Sequence, residues 1–578
     1  MKARAIAPSA LAAALVILPA AVFGRLICGQ FLNWDDWRMV ATNPDLRPDH
    51  WPAILQYWYQ PHLRLFIPLT YSVYAAIEWA GSFLAGGAGP GWFHATSILI
   101  HITTGLLLWR LLIRLFADPL AAAIGAGLFL LHPIQVEAVA WIASLNTVLS
   151  GCLAMLAINC YVSSLNPRLS QAQSLQRFIA ACIATTLAML AKPAVCGLPI
   201  ITFVLHLCLR KDQRAKAVIQ SLLLSVIELP MIWIVHQLQA GATALIITPL
   251  SHRPLVMIDA IGCYLIKLLF PIRLAIDYGR APTRLSFGPP AYAGAAVLLL
   301  LAILLLFARR FSSPRIRWCA AGLVIFLAGL LPVLGWVPFD FQFYSTVADR
   351  YLYLSMLGPA LIVASLLAGR LRSQSTSSIL LITCSAILLG FASISFLQAG
   401  TWMSDNQLFG QALRINLRSI VANQTLGFLA AQAADRSAAN PGRQNQFTVL
   451  ALDYDDKALA VDDNNPRVHF NRGNLLLKAN HPELAVIDYS LAAGKTEDEA
   501  SLQNNWGIAD LQMQINDQAL GHFQNAARIN PKFPDAYANA GIAYENLGQP
   551  DQANAQFQHA LTLDPHQPQA LRHLSGLR

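Results

Sequence analysis

Thirteen stretches between residues 8 and 398 run apolar for about as long as a helix needs to cross ~30 Å of hydrocarbon, and this property decides the fold class. They fall at 8–28, 65–84, 93–115, 119–132, 136–163, 177–192, 194–209, 216–237, 255–271, 290–308, 317–337, 351–370 and 378–398. Lipid offers no hydrogen bonds to an open backbone, so each stretch must be helical. Charged residues make up only 12% of the chain, against about a quarter in soluble proteins, which excludes ordinary globular packing. One to three windows are short or broken, so the expectation is an all-α membrane domain of 11–13 transmembrane helices over residues 1–400. Small residues around Pro19 would suit a signal peptidase. The apolar run continues past them, and the first window is read as an uncleaved span.

Charge divides the chain again. Residues 434–578 hold 17 acids against 11 bases, which leaves 14 acids against 29 bases for residues 1–433. The net charge of +9 does not call for nucleic acid, because bases between apolar spans are what the positive-inside rule requires. Lys2 and Arg4, the loop with Arg309, Arg310, Arg315 and Arg317, and the loop with Arg370 and Arg372 are thereby expected on the cytoplasmic side. The first loop, 29–64, and the tail then share the outer side. All nine cysteines lie in or beside apolar runs without a CxxC, so neither a zinc site nor a disulfide framework is signalled.

The tail repeats itself every 34 residues: Gly473, Gly507 and Gly541; Ala485, Ala519 and Ala553; Tyr489, Phe523 and Phe557; Ala492, Ala526 and Ala560. A small residue where two helices approach, and an aromatic filling the gap to the next hairpin, suit a stacked helix-turn-helix solenoid. The pattern resembles tetratricopeptide repeats, three clear and one degenerate over 434–578, with 401–433 as a connector.

Candidates for chemistry are few because charge is scarce. The first loop reads Asn33-Trp34-Asp35-Asp36-Trp37. Its adjacent carboxylates are either interfacial decoration or a general base made more basic by partial burial among indoles. His94 and His101 share one helix face. His132-Pro133 and Lys192-Pro193 break apolar runs, and Glu137 follows the first break; an intramembrane carboxylate needs a partner or a function. Lys192, Arg273 and Arg350 stand at span ends, where they either snorkel to headgroups or meet a lipid phosphate. Asp277 follows Arg273 closely. No metal-ligand spacing is present, although the carboxylate pair leaves a divalent ion open.

Several stretches occur in an order similar to that of the transmembrane-and-tetratricopeptide (TMTC) family of protein O-mannosyltransferases. They are Asn33-Trp-Asp-Asp, Ile67-Pro-Leu-Thr-Tyr, Trp92-Phe-His with His101, Leu131-His-Pro-Ile-Gln-Val-Glu-Ala-Val-Ala-Trp-Ile, Ala191-Lys-Pro, Asp277-Tyr and Asp349-Arg-Tyr-Leu-Tyr. The resemblance implies a GT-C-like membrane glycosyltransferase that moves a mannose-like sugar, with inversion, from a polyprenyl-phosphate donor to a hydroxyl of a periplasmic polypeptide held in the repeat groove. It implies Asp35 or Asp36 as the catalytic base, His132, Lys192, Arg273 and Arg350 around the donor phosphate, and His94, His101, Glu137 and Asp277 in support. It also implies a bacterial inner membrane as the location. Leu145 and Thr147 depart from the family, which carries Arg and Asp there. A membrane-anchored repeat scaffold without chemistry is the alternative.

Overall fold

The computed structural model describes residues 7–243, 248–285, 288–310, 313–372, 374–496 and 498–576. Lys2 and Arg4, on which the inward start of the chain rests, lie outside the described residues, as do the side chains of Arg309, Arg310 and Arg372. The described residues are helical apart from loops and one isolated bridge between His62 and Leu65. They form two compact units, Met1–Asn416 and Leu417–Arg578.

In the first unit, eight helices among the described residues are long and apolar enough to cross a membrane. A ninth joins them if the bent pair Pro119–Leu131 and Pro133–Ala140 is one span. Pro193–Leu209 and Leu357–Leu367 are shorter apolar helices. The windows at 65–84 and 255–271 fold as Pro68–Ala85 and Arg253–Leu269, outside that set. Proline repeatedly occupies the first helical position, as in Pro8, Pro68, Pro90, Pro119 and Pro314, where its missing N–H has no intrahelical partner to lose.

The break after Leu131 shapes the interior. Pro133 cannot continue the helix, and the chain bends by 48° there. It then advances through a 3-10 turn at Pro133–Gln135, the short helix Val136–Ala140 and a second turn at Ile142–Ser144. All of it is buried. Irregular backbone at such depth is tolerable only inside protein, and Pro90–Phe116 and Asp349–Leu352 pack around it.

The second unit is a row of antiparallel hairpins: Ile420–Arg436 with Pro441–Leu459, Pro466–Lys478 with Pro482–Ala492, Glu499–Gln512 with Asn516–Ile529, and Pro534–Asn546 with Pro550–Leu563. The first hairpin opens at Ile420, within the segment expected as a connector. The remainder of that segment supplies the helix Asp405–Ile415 to the first unit. The repeated glycines lie under the repeated aromatics: a Cβ on Gly473, Gly507 or Gly541 would come within 2.7, 2.6 or 2.6 Å of the ring of Tyr489, Phe523 or Phe557. The turn between paired helices also recurs at the 34-residue period, with Asn480, Gln514 and Gly548 all left-handed.

The degenerate hairpin differs at this contact. One period before Tyr489 stands Asp455, against Gly427, where an added Cβ would lie 2.9 Å from its Oδ1. Both Asp455 oxygens are buried with no hydrogen-bond partner among the described residues. Burial pushes this carboxyl up to about 7, opposed by Arg472 and reinforced by Asp456 and Asp488.

Two outcomes follow from these contacts. Gly507→Ala should lower stability by about 1–3 kcal/mol through overpacking, whereas Gly521→Ala, which would face open space, should raise it by about 0.5–1 kcal/mol; thermal unfolding of the full chain checks both. Because folding raises the Asp455 pKa above the unfolded value of about 3.9, its contribution is fully present below that pH and is lost as pH rises through about 7. Hydrogen-exchange protection factors across 441–459, with the intrinsic base-catalysed rise divided out, should therefore fall between about pH 4 and about pH 7, and Asp455→Asn should flatten that fall.

Candidate functional site

The site begins with a buried ion pair. Glu137, on the short helix after the break, binds the guanidinium of Arg350, and its Oε2 accepts the backbone N–H groups of Asp349 at 2.9 Å and Arg350 at 3.4 Å. A carboxylate in an apolar run is tolerable only with such partners. Aromatic faces complete the cage, with the Arg350 guanidinium 4.4 Å from the Phe341 ring centre, 4.8 Å from Tyr351 and 5.1 Å from Trp141. Beside it, Asp349 accepts from Lys267 Nζ at 2.8 Å and from the Tyr278 hydroxyl at 2.7 Å.

Arg350 and Lys192 line one cleft together with Thr147, Ser150, Tyr351 and Tyr353. Lys192 reaches it because Pro193 ends the preceding helix at Ala191 and turns the chain. Its Nζ donates to the Thr147 hydroxyl at 2.6 Å, so the hydrogen-bond partner at the position where the resemblance leads one to expect an acid is neutral. Two cations against one carboxylate, Glu137, make the cleft suited to an anion.

The two adjacent aspartates have separate environments. Asp36 is fully buried, and accepts the Leu32 N–H at 3.0 Å and the Ala143 N–H at 2.8 Å. It ties the first loop to the end of the broken span. Burial pushes its carboxyl up to about 7, against the pull of those two N–H groups and helped by the charges of Asp35 and Asp405. Asp35 is half-buried, and its side chain has no hydrogen-bond partner among the described residues. Burial raises its pKa, while Arg350 and Arg38 act electrostatically to lower it. Of the pair, Asp35 is the less buried carboxylate and the one whose side chain is not tied to a backbone N–H among the described residues.

The other expected residues divide. His132 is buried with Nδ1 accepting from the Ile134 N–H at 3.2 Å and Nε2 against the Leu268 carbonyl at 3.0 Å. Nδ1 caps the break and Nε2 ties it to the end of the helix Arg253–Leu269, so both nitrogens are engaged by backbone groups. Arg273 is exposed and does not line the cleft. Asp277 accepts from the Gly279 N–H at 2.8 Å and from the Asn416 side chain at 3.2 Å, which makes it a turn-forming residue. His101 bridges the Tyr353 hydroxyl at 3.0 Å and the Leu130 carbonyl at 3.1 Å. His94 is buried behind Gly29, with neither ring nitrogen hydrogen-bonded among the described residues. Sequence reasoning gave no role to Lys267 or Thr147; a lysine inside an apolar window was the available signal for the first. Among the described residues no three His, Cys, Asp or Glu side chains gather to hold a metal.

The tetratricopeptide repeat family matches residues 534–567. The chain is similar to human protein O-mannosyl-transferase TMTC1, 30% identical over 166 residues, which are 28% of this chain and 19% of that protein. With Xenopus laevis protein O-mannosyl-transferase tmtc2 the identity is 29% over 138 residues, 23% of this chain and 16% of that one. These matches span less than a fifth of the relatives' own length. Among solved structures, YrrB, a tetratricopeptide repeat protein with an unusual peptide-binding site, is 22% identical with a TM-score of 0.25, covering 29% of this chain and 81% of its own.

The aspartates should separate by stability. Asp36→Asn places an amide N–H₂ against a backbone N–H and should destabilise the protein by about 1–3 kcal/mol. Asp35→Asn should stay within about 0.5 kcal/mol of the parent, with thermal unfolding in detergent as the measurement.

Proposed function

We propose that this chain, which resembles the TMTC protein O-mannosyl-transferases and carries tetratricopeptide repeats, is a multi-pass membrane glycosyltransferase. It moves a mannose-like sugar from a polyprenyl-phosphate donor to a hydroxyl of a polypeptide. The observation that carries the reading is the cleft that Arg350 and Lys192 line together, with Asp35 on the first loop as a carboxylate whose side chain makes no hydrogen bond among the described residues.

In the reaction, Asp35 takes the proton of the acceptor hydroxyl as its oxygen attacks the anomeric carbon from the face opposite the phosphate. The bond between that carbon and the phosphate oxygen breaks, and the sugar is inverted. Charge collects on the leaving polyprenyl phosphate, where Lys192 and Arg350 neutralise it. Glu137 holds Arg350 in place, and Asp36 keeps the first loop against the broken span. Support for a lipid-linked donor comes from an apolar groove of about 440 Å³ lined by Ile200, Met257, Ile261, Leu298, Ala328 and Leu331. Ala328 and Leu331 bracket Gly329, which lines the cationic cleft. The repeats hold the acceptor and raise its effective concentration. In a bacterial inner membrane the first loop and the repeats would then face the periplasm, as the bases in the intervening loops require.

Mass spectrometry of periplasmic glycoproteins from cells carrying variants tests the reading. Asp35→Asn should reduce sugar transfer by about 10²–10⁴-fold, the usual contribution of a general base, with the protein still folded. Lys192→Met should weaken use of the donor. Unchanged glycosylation in the Asp35→Asn and Asp36→Asn double variant would favour the non-catalytic scaffold.

A further inference from the structure

The first loop is held at a second point, far away in sequence. The backbone N–H of Asn33 donates to Asp405 Oδ1 at 2.7 Å, and its side-chain amide donates to Asp405 Oδ2 at 2.7 Å. One carboxylate thus binds both donors of one residue across 372 positions. Close by, the Gln30 N–H donates to the Met403 carbonyl at 3.3 Å. Asp405 stands in the first turn of the helix Asp405–Ile415, whose terminus favours a negative charge. The preceding turn is buried by Trp402, whose ring centre lies 6.3 Å from that of Trp141. Trp141 in turn stands two residues before Ala143, the partner of Asp36.

Asp35 therefore lies between two carboxylate clamps, Asn33 with Asp405 on one side and Asp36 with Ala143 on the other. Its own side chain takes part in neither. A single residue, Trp34, separates Asn33 from Asp35, and one clamp alone would leave that short turn free to pivot. Bonds to a charged acceptor are shorter and stronger than neutral ones, and this pair is bidentate, so it sets direction as well as distance.

We propose that Asp405 is a positioning residue: through Asn33 it fixes the turn that presents Asp35 to the acceptor hydroxyl. The inference rests on the reading of Asp35 as general base. A reacting group displaced by about 1 Å can lose of order 10²-fold in rate, so the clamp should affect kcat far more than the affinity for the donor.

The test uses the full chain in lipid nanodiscs, with polyprenyl-phosphate mannose and a serine- and threonine-rich peptide as probes. Asp405→Ala should speed hydrogen exchange across residues 30–40 at least about tenfold and lower kcat by about 10–100-fold, with the KM for the donor held within about twofold. The exchanged pair Asn33→Asp with Asp405→Asn keeps an acceptor for the Asn33 backbone N–H and reverses the side-chain bond, and it should restore both readouts. Unchanged exchange in Asp405→Ala, or an exchanged pair as impaired as Asp405→Ala, would overturn the proposal. If Asp35→Asn transfers sugar normally while Asp405→Ala loosens residues 30–40, the base assignment fails and the clamp stands as a loop anchor alone. An inactive Asp35→Asn beside a fully active Asp405→Ala means the reverse.

Discussion

The pairing of Glu137 with Arg350 is the constraint on which the membrane unit depends. Two charges withdrawn from water recover their desolvation only if geometry and further hydrogen bonds are good. Here the second Glu137 oxygen takes the backbone N–H groups of Asp349 and Arg350, and three aromatic rings cover the guanidinium. Removing one partner of such a pair typically costs about 3–5 kcal/mol, because the other charge is left buried alone. The pair joins the broken span to a turn more than 200 residues later. It also turns Arg350 into a fixed positive charge on the wall of a cleft.

From that fixed point the rest of the site can be followed. His132 caps the break, so the backbone bends where Pro133 requires it and Glu137 arrives at the right depth. The far end of the break offers the Ala143 N–H to Asp36, which brings the first loop down onto the span. Asp405 holds the same loop from the other side. Most polar residues near the cleft thus serve architecture. The groups that the proposed chemistry would use are a carboxylate, Asp35, and two cations, Lys192 and Arg350.

The repeats obey a different logic. Each of the last three hairpins buries its aromatic against a glycine of the paired helix, so the contact recurs with the period. Asp455 breaks the series, setting a buried carboxyl where later repeats set a ring.

The division between sequence and structure follows from the range of the forces. Apolar length and the 34-residue period are local properties, so helical spans and the hairpin solenoid were legible in the chain itself, and so was the scarcity of charge that singles out Asp35, Asp36, Glu137, Lys192 and Arg350. What the chain could not tell was the work each does. Asp35 and Asp36 are neighbours with the same side chain, and only the fold directs one to a backbone N–H 107 residues away and leaves the other open. His132 beside a proline reads equally as a ligand or a cap until its two nitrogens are seen to be occupied. Asp405 and Lys267 carry no motif that points to the site, and Thr147 stood out only as a departure from the family pattern. Their roles come from contacts across long separations, which depend on how the helices pack.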